Sequence, residues 1–168
     1  MTQFDVIDTI LGEDAAAAVA DLRAQKPELA TQMQAYYETV FDPTPESAAA
    51  LSPAERFAAA IRTASHTGST NVVSWYSNQA VRTDVPESVI AAALELDSIR
   101  SGNDRLDAIL RHVDLVTARP VESRRDDIEA LSEAGLSPIG IVALSQVIAH
   151  VSYQLRLVAT LRALGGSK

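Results

Sequence analysis

Ser137 to Gly165 reads SPIGIVALSQVIAHVSYQLRLVATLRALG, and its reading decides the fold. Ser137 is placed to cap a helix, and Pro138 suits its first position, where a missing N–H costs nothing. Gly165 and Gly166 follow the last apolar residue, as a helix stop does. Gly140, in the first turn, is the only strong helix breaker between them. On a helical wheel the segment shows two apolar faces. One carries Ile141, Leu144, Val147, Ile148, Val151, Leu155 and Val158, the other Ile139, Val142, Leu157, Leu161 and Leu164. A helix apolar nearly all round is a membrane span or the centre of a helical assembly. Gln146, His150 and Gln154 form a polar ladder four residues apart on the second face. With Arg156 and Arg162, they favour a buried central helix over a span.

The chain has 168 residues, 47% of them hydrophobic but only 5% aromatic, and alanine and leucine dominate. That suits one helical domain, or a core with an N-terminal extension. No segment alternates with period two, so the expectation is an all-α bundle of about eight helices with short connections. A net charge of −8 with no basic run excludes a nucleic-acid backbone as partner. The absence of cysteine excludes disulfides, thiolate metal sites and redox thiol chemistry. The N-terminus has no basic region ahead of its apolar residues and acids interrupt it, so a cytoplasmic protein with no membrane partner is expected.

Phe4 to Leu11 is short and half apolar. Helices are expected over 14–24 and 28–41. The prolines of DPTPES, Asp42 to Ser47, mark a linker, and an N-terminal helical extension over residues 1–50 is placed before it. Ser52-Pro53-Ala54-Glu55 then opens a helix with capping-box spacing. Further helices are expected over 70–81, 87–100, 104–117 and 124–134, ahead of the long terminal helix.

Three constellations carry possible chemistry. Glu55, Arg62 and His66 lie on one stripe of the helix from Ser52, opposite Phe57, Ile61 and Ala64. A carboxylate can orient an imidazole and raise its pKa, so the stripe reads as a proton relay or as a solvated face with helix-stabilising charges. His150 with its two glutamines reads as a satisfied core histidine, an interface ladder or a site. Trp75 and Tyr76 are adjacent on their helix and cannot both face one core, so the pair reads either as one ring lining a pocket or interface or as simple edge packing. His112 and Asp114 are two apart and do not face each other. No metal-ligand set and no phosphate loop appear, and no cofactor is implied.

Two stretches resemble the carboxymuconolactone decarboxylase and alkylhydroperoxidase D-like superfamily. They are LSPAERFAAAIRTASHTGSTNVVSWYSNQAV, from Leu51 to Val81, and LSEAGLSPIGIVALSQVIAHVSYQLRLVATLRALG, from Leu131 to Gly165. Arg156 matches the family's late arginine. The likeness covers Leu51 to Gly165 and implies an all-α, alkylhydroperoxidase D-like bundle that forms a homo-oligomer. Peroxidase-type members carry Glu-x11-Cys-x-x-Cys-x-x-x-His. Counted from Glu55, those positions fall on Thr67, Thr70 and Ser74, or Trp75 after a one-residue shift. A threonine hydroxyl cannot cycle through a sulfenic acid and a disulfide, so thiol peroxidase activity does not carry over.

The resemblance therefore implies a cysteine-free protein that binds a small organic molecule, or that performs cofactor-free proton transfer or decarboxylation. Glu55, His66 and His150 are its candidate catalytic groups, and Arg62, Thr67, Thr70, Ser74, Trp75 and Tyr76 its candidate pocket. The alternative is a non-catalytic scaffold or the partner subunit of a related peroxidase-like protein.

Overall fold

The computed structural model describes residues 5–166. Among these it is all-helical, with ten α-helices, one 3₁₀ turn and no strand. In order they are α1 (Val6–Leu11), α2 (Glu13–Arg23), α3 (Pro27–Phe41), α4 (Pro45–Ala50), α5 (Pro53–Ser65), α6 (Thr70–Arg82), α7 (Glu87–Leu94), α8 (Asp104–Ala118), α9 (Arg125–Glu133) and α10 (Pro138–Gly165). Ten replaces the expected eight, because two short segments close turns of their own. Asp5 caps α1 by accepting from the amides of Ile7 and Asp8 at 2.8 and 3.0 Å. Thr44 and Pro45 open α4 inside the expected linker, where a hydroxyl cap and a proline at the first position are helix-starting signals in their own right. Phe4, where the first apolar stretch begins, lies outside the described residues.

The centre of the bundle is α5, which packs against α6, α7, α8 and α10. Its residues from Arg56 to Ala64 are buried without a break. Ala58, Ala59 and Ala60 make this possible, because small side chains let several neighbours approach one helix closely. Ser52 and Glu55 form the expected capping box. Arg56 ties α5 to the preceding segment: its guanidinium donates to the carbonyls of Leu51, Val40 and Ser47 at 2.9 to 3.1 Å. Val6, Ile7, Ile10 and Leu11 of α1 belong to the same apolar core.

The terminal helix α10 has one buried face, not two. Leu144, Val147, Ile148, Val151, Leu155 and Val158 face the core, joined by Leu161. Ile139, Val142 and Leu164 are exposed, and so is Gln146, so the polar ladder splits. Among the described residues α10 is the one helix long and apolar enough to cross a membrane, and half of that apolar window is buried within the protein. Its glycine has a packing reason. A Cβ on Gly140 would lie 2.5 Å from the carbonyl oxygen of Ala50, so α10 starts pressed against the end of α4.

The helix expected over 87–100 stops at Leu94. The cause is non-local: Arg62, in the middle of α5, donates to the carbonyls of Ala92, Glu95 and Leu96. Those carbonyls would otherwise need the amides of a continuing helix. Asp107 then holds the connecting loop by accepting from the Ser101 amide at 2.8 Å.

Candidate functional site

The expected relay of Glu55, Arg62 and His66 is not assembled. It presumed a solvent face on α5, and that helix has none over its central turns. Glu55 and His66 sit at opposite ends of α5, about 16 Å apart at 1.5 Å per residue. Glu55 accepts from the Ser52 amide at 2.8 Å and from Nε of Arg105 at 2.6 Å. Burial works against its ionisation, but the bonds from Arg105 and Ser52 outweigh it and hold the carboxyl below its usual range. That makes Glu55 a charged structural tie with no basicity to spare.

The other end of α5 carries a different ion cluster. Arg62 has 0% of its surface exposed, against the expected exposed stripe. Its Nε and Nη2 each donate to one oxygen of Asp114 on α8, both at 2.6 Å. His66 Nε2 lies 2.6 Å from Asp114 Oδ1. Burial again opposes the carboxylate charge, and the two partners overcome it, so Asp114 stays ionised well into acid. Asp114 is the functional-type residue that sequence reasoning missed. Its signal was an acid inside an apolar run, His112-Val113-Asp114-Leu115-Val116, which needs a buried cation to be tolerated.

A third centre lies under α10. His150 is 2% exposed, and neither ring nitrogen has a hydrogen-bond partner. Rings from α3 surround it: Tyr36 edge-on at a centroid distance of 5.0 Å, Phe41 at 6.2 Å and Tyr37 at 6.3 Å. Burial drops the imidazole pKa to about 4, so it is neutral at pH 7. One turn on, Gln154 is fully buried. Its Oε1 accepts from the hydroxyl of Tyr76, while its Nε2 is unpartnered. Two imidazole nitrogens among aromatic rings and, one helical turn on, one amide nitrogen therefore stand unsatisfied. Buried polar groups are otherwise almost always paired, and each left open costs about 1–3 kcal/mol.

This centre borders solvent between α3 and α10. A groove of about 380 Å³ between α3 and α10 has His150 in its floor and Leu29, Met33, Tyr36 and Tyr153 along its walls. Leu29, Tyr36 and Tyr153 are exposed, so the groove is an apolar surface feature continuous with the cage.

The remaining expected pocket residues divide. Thr67, Thr70 and Ser74 are exposed on the α5–α6 turn and early α6, at the opposite end of α5 from Glu55. Trp75 and Tyr76 are both buried although they are adjacent on α6. The reason is that α6 packs on α1 as well as on α5, while Tyr76 reaches α10 and Trp75 lies 6.3 Å from the ring of Tyr37. Two neighbouring side chains can then be buried in different directions. Among the described residues no group of three or more His, Asp or Glu is placed to hold a metal ion.

No family model, no curated protein and no solved structure matches the chain.

Proposed function

We propose that the protein is a cysteine-free bundle of the carboxymuconolactone decarboxylase and alkylhydroperoxidase D-like kind, and that it binds a small, largely apolar organic molecule in the α3–α10 groove. The single observation that carries the binding reading is His150, neutral and buried with both nitrogens unpartnered beneath an apolar groove. Neutral imidazole offers one donor and one acceptor. A ligand with an aromatic or aliphatic body and one hydroxyl or carbonyl supplies what the cage lacks. Tyr36, itself exposed and edge-on to the imidazole, is the ring that must swing aside to admit it. The low basicity of His150 favours hydrogen bonding over proton abstraction, since a general base works best with a pKa near the working pH.

The probes are p-cresol and toluene, followed by NMR on protein labelled at the histidine ring nitrogens. Cresol should shift the His150 nitrogens and the amides of Met33 and Tyr153, and bind more tightly than toluene. In His150→Leu the two probes should bind alike. Equal binding to the native protein, or an unmoved His150, would sink the reading and leave the cage to ordered water.

A second reading, cofactor-free proton transfer, is favoured by one other observation. Asp114 orients His66, as a carboxylate orients a catalytic imidazole, and it also lines a groove of about 620 Å³ between α8 and α9. On this reading His66→Gln abolishes turnover of any carbon acid the protein is found to isomerise or decarboxylate, while His150→Leu leaves it intact. Undiminished turnover in His66→Gln removes it.

A further inference from the structure

A separate cavity of about 450 Å³ opens where the α5–α6 turn meets the end of α8 and the second half of α10. Its polar lining is Thr67, Ser69, Thr117 and Ser152, with Arg156 and Arg162; no carboxylate lines it. In a chain of net charge −8 that composition is unusual. Among the described residues neither arginine makes an ion pair. Arg156 donates only to the carbonyl of Ser152 on its own helix, at 2.9 Å, and Arg162 to the carbonyl of Leu11, at 3.0 Å. Each guanidinium has five N–H donors, so most remain uncommitted.

The placement is ordered by the helix. Arg156, Ala159 and Arg162 follow at intervals of three, with Ser152 one turn before, and all four line the same cavity. Leu155 and Val158 form the cavity's apolar floor, and Ala159 leaves space between the arginines. Thr117 lines it too, with its own hydroxyl oxygen buried behind the wall and without a partner. Ser69, the residue before α6, makes no side-chain cap, so that helix begins at the cavity wall with its first amides uncapped.

We infer that this cavity binds an organic anion, its carboxylate or phosphate held between Arg156 and Arg162 and its apolar body laid on Leu155 and Val158. Guanidinium forks match both head groups, and the volume falls within the range of about 300–1,000 Å³ typical of small-molecule sites. The site is distinct from the His150 groove in charge and in position, and takes a different class of molecule.

The test is calorimetric titration of the full chain with benzoate, phenyl phosphate, inorganic phosphate and benzyl alcohol, with amide shifts locating the contact. Benzoate or phenyl phosphate should bind and shift Thr67, Ser69 and Ser152, and the tighter of the two names the head group. Benzyl alcohol should not bind. Arg162→Gln would also release α1, so Arg156→Gln is the cleaner variant; it should weaken binding about tenfold or more. Ala159→Phe, which fills the cavity without changing charge, should abolish binding, and Arg82→Gln, at the far end of α6, should have no effect. The inference is overturned if neither aromatic anion binds, if inorganic phosphate binds as well as both, or if Ala159→Phe binds like the native protein.

Discussion

Helices α5 and α10 both bury polar side chains, and they do so in opposite ways. In α5, Arg56 and Arg62 are enclosed, and their Nε, Nη1 and Nη2 atoms all reach carbonyl or carboxylate oxygens. In α10, His150 and Gln154 are equally enclosed, and three of their nitrogens reach nothing. The α5 groups hold segments in place: one arginine gathers the chain before α5, the other ends α7. Of the α10 groups only the Gln154 carbonyl oxygen makes a tie, accepting from the Tyr76 hydroxyl, and His150 holds no segment by a hydrogen bond. A saturated buried charge is explained by architecture; an unsatisfied buried dipole in a cage that borders an open groove points to a ligand.

The sharpest way to break the comparison is to unpair α5. Asp114→Ala leaves the fully buried Arg62 guanidinium without its counter-charge. Removing one partner of such a pair costs about 3–5 kcal/mol, far more than the pair itself contributes over an apolar replacement. Urea unfolding should show a loss of that size, with α7 the first element to lose amide protection. His150→Leu should instead leave stability at pH 7 unchanged or raised, because it removes orphaned dipoles and adds apolar contact. Comparable losses in the two variants would erase the distinction between the helices.

A pH titration of stability separates them again. The folded pKa of His150, about 4, lies below the ordinary histidine value of about 6.5. Below pH 6.5 the unfolded chain takes up a proton that the folded chain refuses, so stability falls with acid down to about pH 4 and then levels for this group. A gap of that size corresponds to a loss on the order of 3 kcal/mol. His112, whose pKa burial also lowers, contributes in the same direction. Asp114 and Glu55 act lower, because their folded pKa values are depressed and their stabilisation is lost only as pH falls through the carboxylate range. His150→Leu should flatten most of the slope between pH 6.5 and 4. A slope unchanged in that variant would mean that His150 is not buried neutral.

How much of this was legible in the sequence depends on how local each cause is. The capping box at Ser52 and Glu55, the cap at Ser137 and the all-α class were readable, because a helix start is written within four residues. Thr44-Pro45 carried the same kind of signal and was outweighed by two prolines read as a linker. The early stop of α7 was not readable, since its carbonyls are taken by Arg62, some thirty residues before. The stripe of Glu55, Arg62 and His66 was correct as helical geometry, but its members are split between Arg105 at one end of α5 and Asp114 at the other. Periodicity tells which residues share a face, not whether the face is solvated, and α5 is enclosed by five neighbours. The His150–Gln154 spacing stood out as an unexplained polar ladder, but the rings of Tyr36, Tyr37 and Phe41 that make it a cage arrive only through the crossing of α3 with α10.

Gly140 provides a test on α10 itself. Propensity alone makes Gly140→Ala stabilising by about 1 kcal/mol. The added Cβ, however, meets the Ala50 carbonyl oxygen at 2.5 Å, and that oxygen is backbone already bound to Arg105 at 2.9 Å. Overpacking of this kind costs about 1–3 kcal/mol, so the net effect should be a modest loss. A gain in thermal midpoint would show that α10 can slide away from α4 without penalty.

The smallest effect is expected at Glu55. Glu55→Ala removes half of the capping box and one partner of a part-exposed ion pair with Arg105. Cap losses run at about 1 kcal/mol, and exposed pairs add a few tenths. Arg105 keeps its bonds to the carbonyls of Ala50 and Gly135, so its guanidinium is not stranded. A loss near 1 kcal/mol by urea unfolding, with cresol binding unchanged, marks Glu55 as a helix-start residue. Loss of cresol binding out of proportion to that small change would instead couple Glu55 to the α10 groove, and would restore it as a site residue.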